Sequence, residues 1–311
     1  MIPAAGAHGG DAVRVARSLG VSPDDLLDLS QTLNPFAPDV VPIATARLGE
    51  LRRYPDPGDA TRCLAETLGV APERVLITNG GSEAIHLVAS TIGGRVVAEP
   101  EFALHPRDRT GPAWRSDPHS PSGRLADPDE RAEVWDEAFY PLATGRWTAG
   151  RPGVAVGSLT KTFACPGLRL GYVIADEATI AALATRQAHW SVGTLALAVL
   201  PDLLDAADLT AWSRQIAEAR SEMVTALRHR GLEVDAADAP WVLVRGPGLR
   251  DRLAHERVLV RDCTTFGLPD HTRIAVPDEH GLERLLVAVD KALPDGAGAL
   301  TGPGSPTADQ L

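Results

Sequence analysis

The chain is poor in features that mark several protein classes. Its three cysteines, Cys63, Cys165 and Cys263, are far apart, with no Cys-x-x-Cys pair and no histidine at ligand spacing. That argues against a disulfide framework and against a structural metal site, and it fits a reducing compartment. No uninterrupted apolar run is long enough for a membrane span, and Met1-Ile2-Pro3-Ala4-Ala5 has neither the basic start nor the apolar core of a leader. Lysine and arginine total 30 against 41 acidic residues, a formal net charge of -11, and the basic residues are scattered. No electrostatic footprint for nucleic acid or anionic lipid follows from that distribution. Internal repeats are absent. The expectation is a cytoplasmic protein with a small-molecule partner and with no nucleic acid, membrane or metal as partner.

What the chain has is 44% hydrophobic content over 311 residues, enough for a large core in one or two domains. Apolar residues at helical spacing predict helices over residues 11–19, 59–69, 209–230 and 281–293. Short apolar runs at 74–77, 96–98, 132–135, 154–156 and 170–174, separated by glycine and proline turns, predict buried strands of an α/β sheet. Residues 28–42 read as an irregular crossing segment. Further strands at 241–244, 258–260 and 273–276 suggest a second, smaller α+β domain. The expected division is an N-terminal segment 1–42 joining the small domain, a large domain 43–200, a small domain 201–293 and a tail 294–311. That tail is rich in Gly, Pro, Ala and Ser and has too little apolar content to fold alone.

Four stretches stand out in order along the chain. Asn79-Gly80-Gly81-Ser82 follows a strand and opens a helix, which is how backbone N–H groups come to cradle a phosphate. Val134-Trp135-Asp136-Glu137-Ala138-Phe139 puts a carboxylate at a strand end. Ser158-Leu159-Thr160-Lys161 is followed by Pro166-Gly167-Leu168-Arg169-Leu170-Gly171-Tyr172, which brings a hydroxyl, an amine and a guanidinium together. Thr272-Arg273-Ile274-Ala275-Val276 carries an arginine in an otherwise apolar strand. Any of these alone is weak: a lone lysine in a polar loop is usually a solvated one, and strand, glycine, helix is common.

In this order they resemble the fold-type I enzymes that depend on pyridoxal 5'-phosphate (PLP). His8-Gly9-Gly10-Asp11, Asp28-Leu29-Ser30 and Leu33-Asn34-Pro35 further resemble one branch, the threonine-phosphate decarboxylases of cobalamin biosynthesis and the related histidinol-phosphate aminotransferases. The resemblance runs from His8 to about Val289. It implies an α/β fold with a mostly parallel sheet of the seven-stranded type, shortened here, and a smaller α+β domain. It also implies a homodimer. Lys161 would form the Schiff base and serve as catalytic base, and Asp136 would keep the pyridine nitrogen protonated. Gly80, Gly81, Ser82, Ser158 and Arg169 would hold the cofactor phosphate, with Tyr54 of Arg53-Tyr54-Pro55-Asp56 reaching the cofactor of the neighbouring subunit. Asn34 would lie beside the substrate carboxylate, and Arg273 would bind that carboxylate.

Departures from the family pattern are equally specific. Between Phe102 and Asp136 the chain is short, where the family carries several more turns of helix and a further strand. His105 falls where an aromatic residue stacks on the cofactor ring. Ser120, in Ser120-Pro121-Ser122-Gly123, stands where an asparagine donates to the cofactor's phenolic oxygen, and Phe139 replaces a tyrosine. The implied activity is PLP-dependent amino transfer on an amino acid or phosphorylated amino compound. The alternatives are decarboxylation of L-threonine O-3-phosphate and, because of the short middle, PLP binding with little turnover.

Overall fold

The computed structural model describes residues 2–6 and 8–294. The expected tail therefore lies outside the described residues, Pro294 excepted. Within them the strands are β1 (Leu27–Leu29), β2 (Val75–Asn79), β3 (Arg95–Val96), β4 (Ala113–Ser116), β5 (Val134–Asp136), β6 (Val154–Gly157), β7 (Leu170–Ile174), β8 (Glu233–Ala236), β9 (Trp241–Arg245), β10 (Val258–Asp262) and β11 (His271–Ala275). They form two sheets in two compact units. The smaller unit takes residues up to Thr32, Ala219–Ala236 and the chain from Trp241, and the larger takes Leu33–Glu218 and Ala237–Pro240. The divisions thus fall before residue 43 and after residue 200, the second one inside the Leu209–His229 helix.

The larger unit holds the six-stranded sheet β2-β7-β6-β5-β4-β3, in which β3 to β6 run parallel and β7 is antiparallel to both neighbours. Strands β5, β6 and β7 are buried at every residue, as expected for a sheet covered on both faces. On one face the Gly58–Leu68 helix turns Ala60, Leu64, Ala65 and Leu68 inward, a helical repeat that meets Leu197, Leu200, Leu203 and Leu204 of the Thr194–Asp205 helix. Gly69, in the left-handed region at φ 68°, ends the first of these helices. On the other face Ala84, Ile85 and Val88 of the Gly80–Ile92 helix pack with Trp114, Val134, Val156 and Val173. Each such fully buried large side chain stabilises the fold by roughly 1.5–3 kcal/mol.

Two expectations are corrected here. Residues 28–42 are not simply irregular: β1 pairs in parallel with β10, and Val40–Ala46 is helical, started by the Asp39 side chain accepting the Val41 N–H. The short stretch before Asp136 also retains a strand, because β4 lies between β3 and β5. Its polar residues hide it from pattern reading. Arg115 and Ser116 are buried, and each is satisfied by a partner remote in sequence, Glu130 for the first and Glu101 for the second.

Around this short middle the larger unit is knit by charge. Arg151 lies 2.6 Å from the Asp117 carboxylate and 3.6 Å from that of Glu137, and its guanidinium sits 4.0 Å from the Trp135 ring centre. Asp238 and Ala239 donate their N–H groups to the Gly123 carbonyl, and Leu125 N–H donates to the Asp238 carboxylate.

The smaller unit is the five-stranded sheet β1-β10-β11-β9-β8, antiparallel except at β1. Leu282, Leu285 and Val289 of the Glu279–Ala292 helix pack on it with Met223 and Leu227.

Candidate functional site

Strand register brings the motif stations of the larger unit to one edge. Ser116 of β4 pairs with Asp136 of β5, Asp136 with Val156 of β6, and Val156 with Val173 of β7, while Asn79 at the end of β2 pairs with Leu170. The carboxyl ends of β2, β4, β5 and β6 and the start of β7 therefore lie side by side. Each of these ends carries reactive groups: the Gly80 turn after β2, the Ser120 turn after β4, Asp136 itself on β5, and Ser158 to Lys161 after β6. Carboxyl ends of parallel strands are where open α/β sheets bind ligands, since the connecting turns and helix starts gather there.

The Gly80–Ile92 helix opens at this edge without a side-chain cap, because Asn79 turns its amide to the Ser191 carbonyl at 2.7 Å. Gly80 has φ 75°, and a Cβ there would lie 2.3 Å from the Arg169 guanidinium. Gly81 faces Ser158, whose Cβ would be 3.4 Å from an added methyl. Gly171 is needed at the same crossing, where a Cβ would meet the Gly80 carbonyl carbon at 2.5 Å. Uncapped helix N–H groups, a guanidinium and a hydroxyl around a turn that only glycine fills are a donor set that could hold a phosphate.

Lys161 sits in the short Leu159–Thr162 helix that follows β6, with its Nζ 5.9 Å from the Phe139 ring centre. Neighbours brace it. Thr160 Oγ1 exchanges hydrogen bonds with the Leu170 backbone, and Asn34 donates twice to the lysine's own turn: its N–H goes to the Lys161 carbonyl at 3.1 Å and its side-chain amide to the Thr162 carbonyl at 2.9 Å. Its amide oxygen takes the Phe36 N–H. Asn34 is thus placed as a brace for the lysine turn.

Asp136 is 6% exposed, with Oδ1 accepting the Ala138 N–H at 3.0 Å. His105 is placed differently from the stacking expectation. Its ring is enclosed by Phe102 and Trp114, and its Nε2 lies 3.0 Å from Asp136 Oδ2. Ser120 is buried, and its N–H donates to Ser116 Oγ at 2.7 Å. Tyr54 is 78% exposed and packs on Trp190 with ring centres 4.8 Å apart.

In the smaller unit, Arg273 of β11 is buried with its guanidinium 4.6 Å from the Trp241 ring centre. Its cross-strand partner is Arg261 of β10, likewise buried and 4.6 Å from the Phe266 ring centre. Burial pushes the guanidinium of Arg273 down to about 9, helped by the charge of Arg261, and burial lowers Arg261 as well. His8 is also held below its ordinary value, by burial and then by the Arg261 charge. Sequence reading missed Arg261. An arginine ending the apolar run Val258-Leu259-Val260 was the available signal.

A family model for aminotransferase class I and II matches residues 116–289. The chain belongs to that family. It is 30% identical to the threonine-phosphate decarboxylase of Salmonella typhimurium, with 92% of this chain and 96% of that protein covered. It is 26% identical to histidinol-phosphate aminotransferase 1 of Dechloromonas aromatica, with 90% and 93% covered. The histidinol-phosphate aminotransferase of Sinorhizobium meliloti, solved in complex with pyridoxal-5'-phosphate, has the same fold at TM-score 0.76 and 18% identity, covering 91% of this chain and 95% of that one.

Proposed function

We propose that this protein is a PLP-dependent enzyme of the aminotransferase type acting on a phosphorylated amino compound or amino acid. The observation that carries it is the gathering of a lysine, a buried carboxylate and a phosphate cradle at the carboxyl ends of one sheet. The donor set fits the cofactor. Gly80, Gly81 and Ser82 N–H groups, Ser158 and Arg169 would hold its phosphate, Asp136 its ring nitrogen and Lys161 its aldehyde carbon. When bound, PLP supplies a carbonyl that takes the substrate amine and a protonated ring that draws electrons from the substrate α-carbon.

The remaining work belongs to this chain's residues. Asp136 holds a proton at the ring nitrogen, its carboxylate oriented by Ala138 N–H and His105. Lys161 Nζ moves a proton at the α-carbon when the outcome is amino transfer. Arg273 binds the substrate carboxylate by its fork of N–H donors, and Arg261 beside it binds a second anionic group. Two adjacent buried guanidinium groups suit a substrate that carries both a carboxylate and a phosphate.

A second reading, decarboxylation of threonine phosphate, is favoured by Phe139. With a ring that has no hydroxyl beside Lys161, the tyrosine donor expected of amino-transfer enzymes is missing. In that reading the same residues hold the carboxylate so that its bond to the α-carbon, rather than the C–H bond, breaks. We further propose a cytoplasmic homodimer in which Tyr54 serves the partner's cofactor.

The test is direct. Carbon dioxide release is compared with keto-acid-dependent amino transfer, using threonine phosphate and histidinol phosphate as substrates. Transfer supports the first reading and carbon dioxide the second, and neither product from either substrate would sink both. A visible absorption band with PLP that Lys161→Ala abolishes is expected in either case.

A further inference from the structure

The Gly80 turn is open on its ligand side and locked from behind. The helix it begins has no side-chain cap, because the Asn79 amide, which could have supplied one, donates to the Ser191 carbonyl at 2.7 Å. The Asn79 N–H donates to Oε2 of the half-buried Glu83, one turn further along the same helix, at 2.5 Å. A glutamate reaching back to the N–H of the cap residue is half of a capping box. The other half, a cap side chain on the first helical N–H groups, is diverted here, which suits those groups to an anion.

Glu83 Oε2 takes two more donors, both from residues 187–191. Gln187 Nε2 lies 3.2 Å away and gives its second hydrogen to the Ile77 carbonyl at 3.0 Å, and Ser191 Oγ lies 3.3 Å away. Asn79, Glu83 and Ser191 thus close a ring of hydrogen bonds that is joined to β2 through Ile77. The stretch between the two anchors needs such holding. Trp190 has φ 56°, a left-handed conformation that a bulky residue keeps only where its surroundings impose it.

A carboxylate in the first turn favours the helix dipole, but beside a phosphate it repels the ligand. Three donors converging on one oxygen point to what offsets that repulsion, since connected polar groups rigidify what they touch. We propose that Glu83 is a positioning residue for the cofactor phosphate. Through Asn79, Gln187 and Ser191 it fixes the direction in which the Gly80, Gly81 and Ser82 N–H groups face the phosphate, and the repulsion of its charge is the smaller effect. This rests on the cofactor reading above.

The experiment titrates the visible band with PLP and with pyridoxal, which has the same aldehyde and ring but no phosphate. The ratio of the two dissociation constants reads the grip on the phosphate alone. Wild type is compared with Glu83→Ala, Glu83→Gln, Gln187→Ala and Lys161→Ala. Glu83→Ala is expected to weaken PLP binding by roughly tenfold or more, the size of effect seen when hydrogen bonds to a charged group are lost, and to leave pyridoxal binding unchanged. Glutamine can set its amide oxygen in the place of Oε2 and keep all three donors, so Glu83→Gln is expected to recover most of the affinity without the charge. Gln187→Ala should lower the same ratio by less than Glu83→Ala. Were the charge decisive, Glu83→Ala and Glu83→Gln would both bind PLP more tightly than wild type, and the proposal would fail. It fails equally if Glu83→Ala weakens PLP and pyridoxal alike, as a merely structural role would, or if Glu83→Gln binds PLP as weakly as Glu83→Ala. Should Glu83→Ala not fold, Gln187→Ala with an unchanged ratio would overturn the proposal alone. Lys161→Ala is expected to lose the band with both compounds, and its persistence would instead overturn the cofactor reading.

Discussion

Gly80 stands in the left-handed region against the Arg169 guanidinium, and both conditions exclude a side chain. A non-glycine residue in that conformation costs about 1–2 kcal/mol, and the methyl must also displace Arg169. Gly80→Ala is therefore expected to weaken PLP binding by about tenfold or more while the protein still folds, since about 1.4 kcal/mol is a factor of ten. Fluorescence titration with PLP and circular dichroism check the two halves. Arg261 and Arg273 make a different residue-scale case. Two like charges on neighbouring buried strands repel, and an anion placed between their donor forks relieves that repulsion. With the Gly80 cradle filled by PLP, inorganic phosphate at about a hundred times its dissociation constant is expected to stabilise the protein by about 2.7 kcal/mol. Calorimetry should find much of the rise in thermal midpoint lost in Arg261→Gln, and an equal rise in both proteins would refute the assignment.

At the scale of elements, the short middle is held by a charge network rather than by extra helix. Arg151 is the cation for Asp117 and Glu137 and the lid on Trp135. Burial raises the carboxyl of Glu137, against the opposing pull of its hydrogen bonds and the Arg151 charge. Without Arg151 the buried Glu137 loses its counter-charge and the buried Asp117 keeps only Arg115 at 3.9 Å, so Arg151→Ala is expected to cost about 3 kcal/mol in urea denaturation. Arg151→Lys should recover only part of this, because an ammonium lacks the planar fork that spans two carboxylates and stacks on an indole. The same region explains why β4 escapes pattern reading. Ala113-Trp114-Arg115-Ser116 has polar residues where a buried strand should be apolar, and only partners brought by the fold, Glu130 and Glu101, make it tolerable.

For the whole molecule, the larger unit exposes Val41, Leu48, Leu51, Tyr54 and Trp190. Exposed apolar side chains of this size in one unit accord with the homodimer proposed above. Light scattering after gel filtration is expected to return twice the chain mass, and Trp190→Glu to shift the population toward the single chain. A monomer at micromolar concentration would refute the homodimer and, with it, the role given to Tyr54.

The α/β class, the order of its strands' apolar runs and the choice of Lys161, Asp136, Arg169 and the Gly80 turn as candidate site residues were legible in the amino-acid order alone. The physical reason is that each of these depends on neighbours within a few residues: a strand end, a glycine turn, a helix start. What only the tertiary structure decided is which groups answer them across the sheet. Asp136 meets His105, Ser120 is tied through Ser116 to Glu101, and Arg273 stands beside Arg261, because strand register sets residues from separate segments side by side. Spacing along a chain carries no record of such register, since a one-residue shift in pairing would change every partner while leaving the local motifs intact.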